Sequence, residues 1–156
     1  YLRLVDRVRE VTPDASITTD IIVGFPGESA RDFEDTLDMV ERCRFDGAFT
    51  FIFSPRKGTA AHRMKSQVDS KTKSLRLQEL VEVQGNITRD LNARYLGKKV
   101  EILVESLYEE TPNTVKGRTR TGKTVIAHMC KSVPGDLVDV LIEESGTWYL
   151  KGPVVP

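Results

Sequence analysis

Residues 17–28, ITTDIIVGFPGE, decide how the first half of the chain is read. From Ile17 to Val23 every residue except Asp20 is β-branched, which is strand composition over a strand length. Apolar character on both faces predicts a parallel strand covered on both sides. Gly24, Pro26 and Gly27 then make a sharp turn. In a parallel α/β sheet successive side chains point to opposite faces, and sites gather at the carboxyl ends of the strands. With Ile21 and Val23 turned toward helices, Asp20, Ile22 and Gly24 face the interior. A buried Asp20 calls for a polar ligand or a hydrogen-bond network, and the glycines let backbone approach a ligand closely. Two readings stand here: a ligand-lining strand end, or no more than a tight strand-to-helix turn. Neither the Walker spacing with its lysine nor GxGxxG is present, so nucleotide hydrolysis and dinucleotide binding lack support.

Outward from this strand the pattern alternates. Upstream, Leu2, Val5, Val8 and Val11 recur at helical spacing within residues 1–12, and Pro13-Asp14 ends that helix. Downstream, Ser29 reads as an N-cap with Asp32 three residues on, and Phe33, Leu37 and Val40 form the apolar stripe of a helix running to about Arg44. Asp46-Gly47 is expected to close it. Residues 48–53, AFTFIF, read as a second strand, and residues 54–59, SPRKGT, as the loop leaving it. A long helix is predicted over 69–95. Its stripe is Leu77, Leu80, Val81, Gln84, Ile87, Leu91 and Tyr95, with Lys71, Lys73, Arg76 and Arg89 off the stripe. Gly97 stands in the C-cap position. Helix, strand, helix and strand with short connections are the grammar of an α/β sheet or barrel.

Beyond Gly97 the period shortens. Val100, Ile102 and Val104 alternate with Glu101, Leu103 and Glu105, and strand-like runs follow at 114–119, 123–128, 136–143 and 147–151. Turn signals at Thr121-Gly122, Pro134-Gly135 and Ser145-Gly146 separate them. Five short strands at this spacing predict a compact all-β barrel. The division expected is 1–94, an α/β part with a connecting helix, and 95–156, a small β-domain.

Composition limits the function classes. The 156 residues are 39% hydrophobic and 29% charged, as a soluble globular protein requires. No apolar run reaches the roughly 20 residues needed to span a bilayer, and no secretory leader is visible. Cys43 and Cys130 lie far apart and read as buried hydrophobes. Two such residues cannot build a zinc or iron–sulfur site, and His62 and His128 read as structural or exposed. Lys plus Arg equals Asp plus Glu, 23 each, so net charge selects no partner. Its distribution is more telling: between Val115 and Gly135 stand Lys116, Arg118, Arg120, Lys123 and Lys131 with no acidic residue. A hairpin over 117–123 would set cations along one edge, where they neutralise phosphates. Tyr108, Trp148 and Tyr149 are candidates to stack bases. The alternatives are a solvated edge that blocks strand pairing and a core tryptophan.

The stretches TTDIIVGFPGES, DFEDTLDMV and FDGAFTFIFSPRKGTAA, with the long helix beginning QVD, closely resemble the radical-SAM methylthiotransferases, and among them the MiaB type. The resemblance covers nearly the whole chain. DIIVGFPGE alone occurs more widely among radical-SAM enzymes; the two strand motifs together are specific. The resemblance implies the tail of a partial radical-SAM (TIM-like) barrel over 1–94, followed by a TRAM RNA-binding β-barrel over 95–156. It implies a transferase that adds a 2-methylthio group to N6-isopentenyladenosine beside the tRNA anticodon. The 5′-deoxyadenosyl radical would abstract hydrogen from C2, and the inserted sulfur would then be methylated. Threonylcarbamoyladenosine tRNA or a ribosomal protein as substrate, and a standalone RNA-binding module, are the alternatives.

The cofactors implied are S-adenosylmethionine and two [4Fe–4S] clusters in the full-length protein. The cluster cysteines are absent here, so this chain is expected to ligate no metal, to hold no catalytic residue and to be inactive alone. Asp20, Ile22, Gly24, Phe25, Pro26, Gly27 and Glu28, with Phe53, Ser54 and Arg56, would shape the S-adenosylmethionine pocket. Lys116, Arg118, Arg120, Lys123 and Lys131 would meet the anticodon stem-loop. A cytoplasmic monomer without a membrane partner is expected. Lys57 and Ala60 replace two prolines usual in the family's second motif, and Asp69 replaces one at the start of the long helix.

Overall fold

The computed structural model describes residues 1–109, 111–129 and 131–156; Cys130, expected to be a buried hydrophobe, lies outside them. The chain divides into two compact units, residues 1–11 with 17–87, and residues 12–16 with 88–156.

The first unit holds α1 (Leu2–Val11), β1 (Thr18–Val23), α2 (Ala30–Cys43), β2 (Gly47–Ile52), α3 (Ala60–Arg63) and the greater part of α4 (Ser70–Ala93). β1 and β2 pair in parallel, from Thr18 opposite Gly47 to Val23 opposite Ile52. Ser29 and Asp32 form a full capping box at the start of α2, so the local sequence fixes where that helix begins. Its end differs from expectation. Arg44, not Asp46-Gly47, closes α2, in the left-handed region at φ 45° with its N–H donating to the Val40 carbonyl. Arg9 of α1 donates to the carbonyls of Cys43 and Arg44. A cation thus satisfies the orphan carbonyls at a helix C-terminus, where the dipole also favours it.

Only one face of this sheet is covered by the described residues. Val23 is buried and Ile21 half-buried, whereas Asp20 is exposed, Ile22 is 56% exposed, and Phe49 and Phe51 are 65% and 51% exposed. The two-sided cover read from the apolar run, and with it the buried Asp20, are therefore not found. These two strands do not by themselves show a partial barrel.

α4 also departs from its expected stripe. Val81 is 42% exposed, while Lys73, Thr88 and Asn92 are buried beside the expected Leu80, Gln84 and Ile87. A periodicity argument places a lysine in solvent; here Lys73 donates to the backbone carbonyl of Phe53, a distant partner that hydropathy does not register. Asp69 caps this helix, accepting from Thr72 N–H at 3.0 Å and Thr72 Oγ1 at 2.6 Å. The aspartate thus supplies the start of the helix. At the far end α4 stops at Ala93 and continues as tight turns, and Gly97, at φ 73°, donates its N–H to Ile142 O. Gly97 serves the bend into the next strand instead of capping the helix.

The second unit holds β3 (Lys99–Leu107), β4 (Val115–Thr119), β5 (Thr124–His128), β6 (Leu137–Leu141), the two-residue β7 (Glu144–Ser145) and β8 (Leu150–Val155). Five strands were expected; the two-residue β7 is additional, and the fifth strand starts at Leu150, after the turn at 146–149, and runs on to Val155. The order is β5-β4-β3-β6-β8-β7, and a parallel pairing of β5 with β8 closes the sheet into a barrel. Ile102, Val104, Val115, Val125, Ala127, Val140, Ile142 and Leu150 fill it. Strands lie close enough at two points that a Cβ on Gly117 or Gly152 would collide with the carbonyl of Leu103 or Leu141. No helix among the described residues is long and apolar enough to cross a membrane.

Candidate functional sites at the strand ends and on the barrel

At the carboxyl ends of β1 and β2 the chain is held by a set of short polar contacts. Gly24, at φ 73°, donates its N–H to Glu28 Oε2 at 2.9 Å, and the turn closes with Glu28 N–H to Phe25 O at 2.9 Å. The other carboxylate oxygen accepts from Arg76 Nη1 at 2.6 Å, and Arg76 also donates to Glu28 O at 3.1 Å. One helical turn earlier, Lys73 donates through Nζ to Phe53 O at 3.1 Å. Its stem occupies the space that a side chain at position 24 would need. Glycine at 24 is thus required twice, by the positive φ and by Lys73. Phe25 and Phe53 meet edge to face at 5.0 Å, with the Lys73 ammonium 5.2 Å from the Phe53 ring centre.

The residues expected at a cofactor pocket therefore separate into two groups. Ile22, Phe53, Ser54 and Arg56 line an open groove of about 660 Å³ together with Phe51 and Ile52. Gly24, Pro26 and Glu28 form its support: Gly24 and Pro26 are buried, and Glu28 spends both carboxylate oxygens within the protein. Gly27 donates to Ser66 O at 2.8 Å, and Phe25 is 46% exposed. Asp20 is on the open sheet face with no hydrogen-bond partner among the described residues. Lys73 and Arg76 were expected only to lie off the apolar stripe of α4. Their only sequence signal is a pair of cations three residues apart on a helix that follows two strand ends.

An apolar lining that also carries hydroxyl and guanidinium groups fits an aromatic base joined to a charged amino-acid tail, the chemistry of S-adenosylmethionine. The described residues contain no group of three or more Cys, His, Asp or Glu placed to hold a metal. Cys43 is fully buried, and loss of solvation pushes its thiol above the ordinary range, away from the thiolate that ligates metal.

On the barrel, the expected cations do not form one free edge. Lys116 and Arg118 alternate outward from β4, but Arg118 is paired with Glu105 at 3.2 Å and Arg120 with Glu101 at 2.8 Å. Both carboxylates come from β3, which the local count of charges in 115–135 leaves out. Lys123 is buried, and Lys131 is exposed. Trp148 is 75% exposed and does not belong to the core. Tyr108 and Tyr149 line a cavity of about 580 Å³.

The barrel closed by β5 and β8 is a small β-domain, and residues 93–155 match the TRAM domain family. Over 99% of its length the chain is 46% identical to the tRNA-2-methylthio-N(6)-dimethylallyladenosine synthase of Acetivibrio thermocellus. It is 47% identical, over the same share, to the proteins of that name in a Thermoanaerobacter species and in Moorella thermoacetica. Over that length the chain is similar to these synthases. It spans about a third of their length, 32%, 33% and 35% respectively.

Proposed function

We propose that this chain is the C-terminal portion of a tRNA methylthiotransferase that places a 2-methylthio group on N6-isopentenyladenosine next to the anticodon. The observation that carries this reading is identity of 46–47% over essentially every residue to synthases bearing that name. Within it, residues 1–94 are the tail of a radical-SAM barrel and residues 95–156 its RNA anchor. The open face of β1 and β2, with Ile22, Phe49 and Phe51 uncovered, is the interior that further strands would cover. An apolar sheet face left to water is otherwise a poor solution for a stable protein.

The groove at the strand ends is assigned to S-adenosylmethionine, which when bound supplies the radical and the methyl group. Ile22 and Phe53 would pack the adenine, and Ser54 and Arg56 would meet its polar end. Glu28, Lys73 and Arg76 act behind them as positioning residues, fixing both strand ends to α4. The iron–sulfur clusters are assigned to parts of the protein outside this chain. The exposed Lys116 and Lys131 and the partly neutralised Arg118 and Arg120 would set register on the phosphate backbone without reading sequence. A soluble cytoplasmic location follows from this reading.

The test is nucleoside analysis of tRNA from a strain lacking the gene. Loss of the 2-methylthio group from isopentenyladenosine, restored by the full-length gene, is expected. Loss from threonylcarbamoyladenosine instead, or intact tRNA modification, would overturn the assignment.

A further inference from the structure

The turn at 146–149 combines two properties that seldom coexist in a surface loop. It carries Trp148, 75% exposed, and it is held rigidly from below. Asn92, 3% exposed, donates through its side-chain amide to Gly146 O at 2.8 Å and Thr147 O at 3.2 Å. Gly146 N–H donates to Tyr149 O at 2.9 Å. The Tyr149 ring lies 3.7 Å from the position a Cβ on Gly146 would take, ordinary van der Waals contact, so the ring packs directly against the turn. Holding a large aromatic in water on a fixed turn gains nothing for the fold. It removes the ordering cost of using that aromatic for binding.

The cavity beside this turn has a chemistry that excludes phosphate. Tyr149 and Tyr108 line it with His128, Glu143, Glu144 and Lys151. Lys151 reaches Glu144 at 3.4 Å, which leaves the Glu143 carboxylate without a partner among the described residues. Two carboxylates against one ammonium repel a phosphodiester. They accept hydrogen bonds from the amino groups of a base, as carboxylates do from the cytosine N4 amine. A volume of about 580 Å³ is within the range of small-molecule sites.

We propose that the 146–149 turn and this cavity form a nucleobase site, which takes one unpaired base bearing an exocyclic amine while Trp148 stacks its neighbour. The site rests on the RNA-anchor reading above. It deepens that reading by separating base capture from phosphate contact, which falls to the exposed lysines. Cytosine and adenine satisfy the carboxylates; uracil, with no exocyclic amine, does not.

Trp148 is the sole tryptophan, so its emission reports directly on the site. Titration of the full chain with single-stranded cytidine, adenosine and uridine heptamers is expected to quench it, with uridine binding weakest. Tyr149→Ala should weaken cytidine binding about tenfold, the scale of one lost stacking contact, and leave the salt slope unchanged. Tyr149→Phe should retain affinity. Lys116→Ala with Lys131→Ala should lower the salt slope yet keep the base preference. Glu143→Gln, a surface change with little risk to folding, should remove the preference for cytidine over uridine. Salt-dependent binding of all heptamers with no change on Tyr149→Ala or Glu143→Gln would overturn the base site and leave the RNA anchor standing. Absence of any RNA binding at low salt would overturn both.

Discussion

The two units answer the same problem, what to do with the free sides of a sheet, in opposite ways. The barrel closes on itself through β5 and β8 and keeps eight apolar residues in one core cluster. The sheet of the first unit stops at two strands and leaves Ile22, Phe49 and Phe51 more than half exposed on one face. What differs is the source of cohesion. The barrel draws on apolar contact among its own strands. The first unit buries Val23, Phe33, Val40, Phe45, Leu80 and Ile87, and adds charge-assisted hydrogen bonds from Lys73 and Arg76 of α4 that tie down the ends of its strands. A closed core is sufficient for independent stability, whereas a two-stranded sheet is marginal without further cover.

That contrast can be broken outright by separating the units, which carries the largest expected effect. Residues 88–156 alone should unfold in one cooperative thermal step and show little binding of a hydrophobic dye. Residues 1–87 alone should bind the dye and show no cooperative transition. Cooperative melting of the 1–87 piece would mean that the uncovered face costs little and that the comparison is wrong.

A smaller effect sharpens the same contrast through ion pairs. Arg76 and Glu28 are only 11% and 12% exposed in their side chains, while Arg120 is 84% exposed beside Glu101 at 40%. Arg76→Met leaves a carboxylate in a place with little water, and loss of one partner of such a pair costs about 3–5 kcal/mol. The double change with Glu28→Gln should recover part of that loss. Arg120→Met should cost less than about 1 kcal/mol, because a solvated pair contributes little. Denaturant unfolding of the full chain measures all three; equal losses at Arg76 and Arg120 would deny the buried pair its role.

The parts legible from the sequence are those whose causes are local. The Ser29–Asp32 capping box needs only four residues, and the β-strands of the barrel declare themselves by alternation because one face of each is core. The covered face of β1 was legible for the same reason. What was hidden depends on partners far along the chain. Lys73 and Asn92 look like solvated helix residues until the carbonyls of Phe53 and Gly146 are brought to them. Arg118 and Arg120 look like free cations until the β3–β4 register sets them beside Glu105 and Glu101. The closure of β5 on β8 is a parallel pairing between distant strands, to which no turn signal points.

The smallest expected effect concerns the same capping box and separates local from tertiary cohesion. The Asp32 carboxylate accepts from Ser29 N–H at 2.8 Å and Ser29 Oγ at 2.7 Å. The backbone bond first, and then the hydroxyl bond, hold its pKa below the ordinary 3.8. Because the folded value is the lower one, the unfolded chain takes up this proton first as pH falls. The stabilisation is thus fully present above 3.8 and is lost as pH drops through the folded value. Asp69, held low by the side chain and backbone of Thr72, behaves alike at the start of α4. Asp32→Asn keeps an oxygen that accepts the same bonds but cannot titrate, so its melting temperature should fall less between pH 6 and pH 3 than that of the unaltered chain. Both caps stand on helices of the first unit, so acid acts on the part of the molecule that relies on polar contacts. Parallel curves for the two proteins would show that the capping box is already broken, or never formed, where the charge is lost.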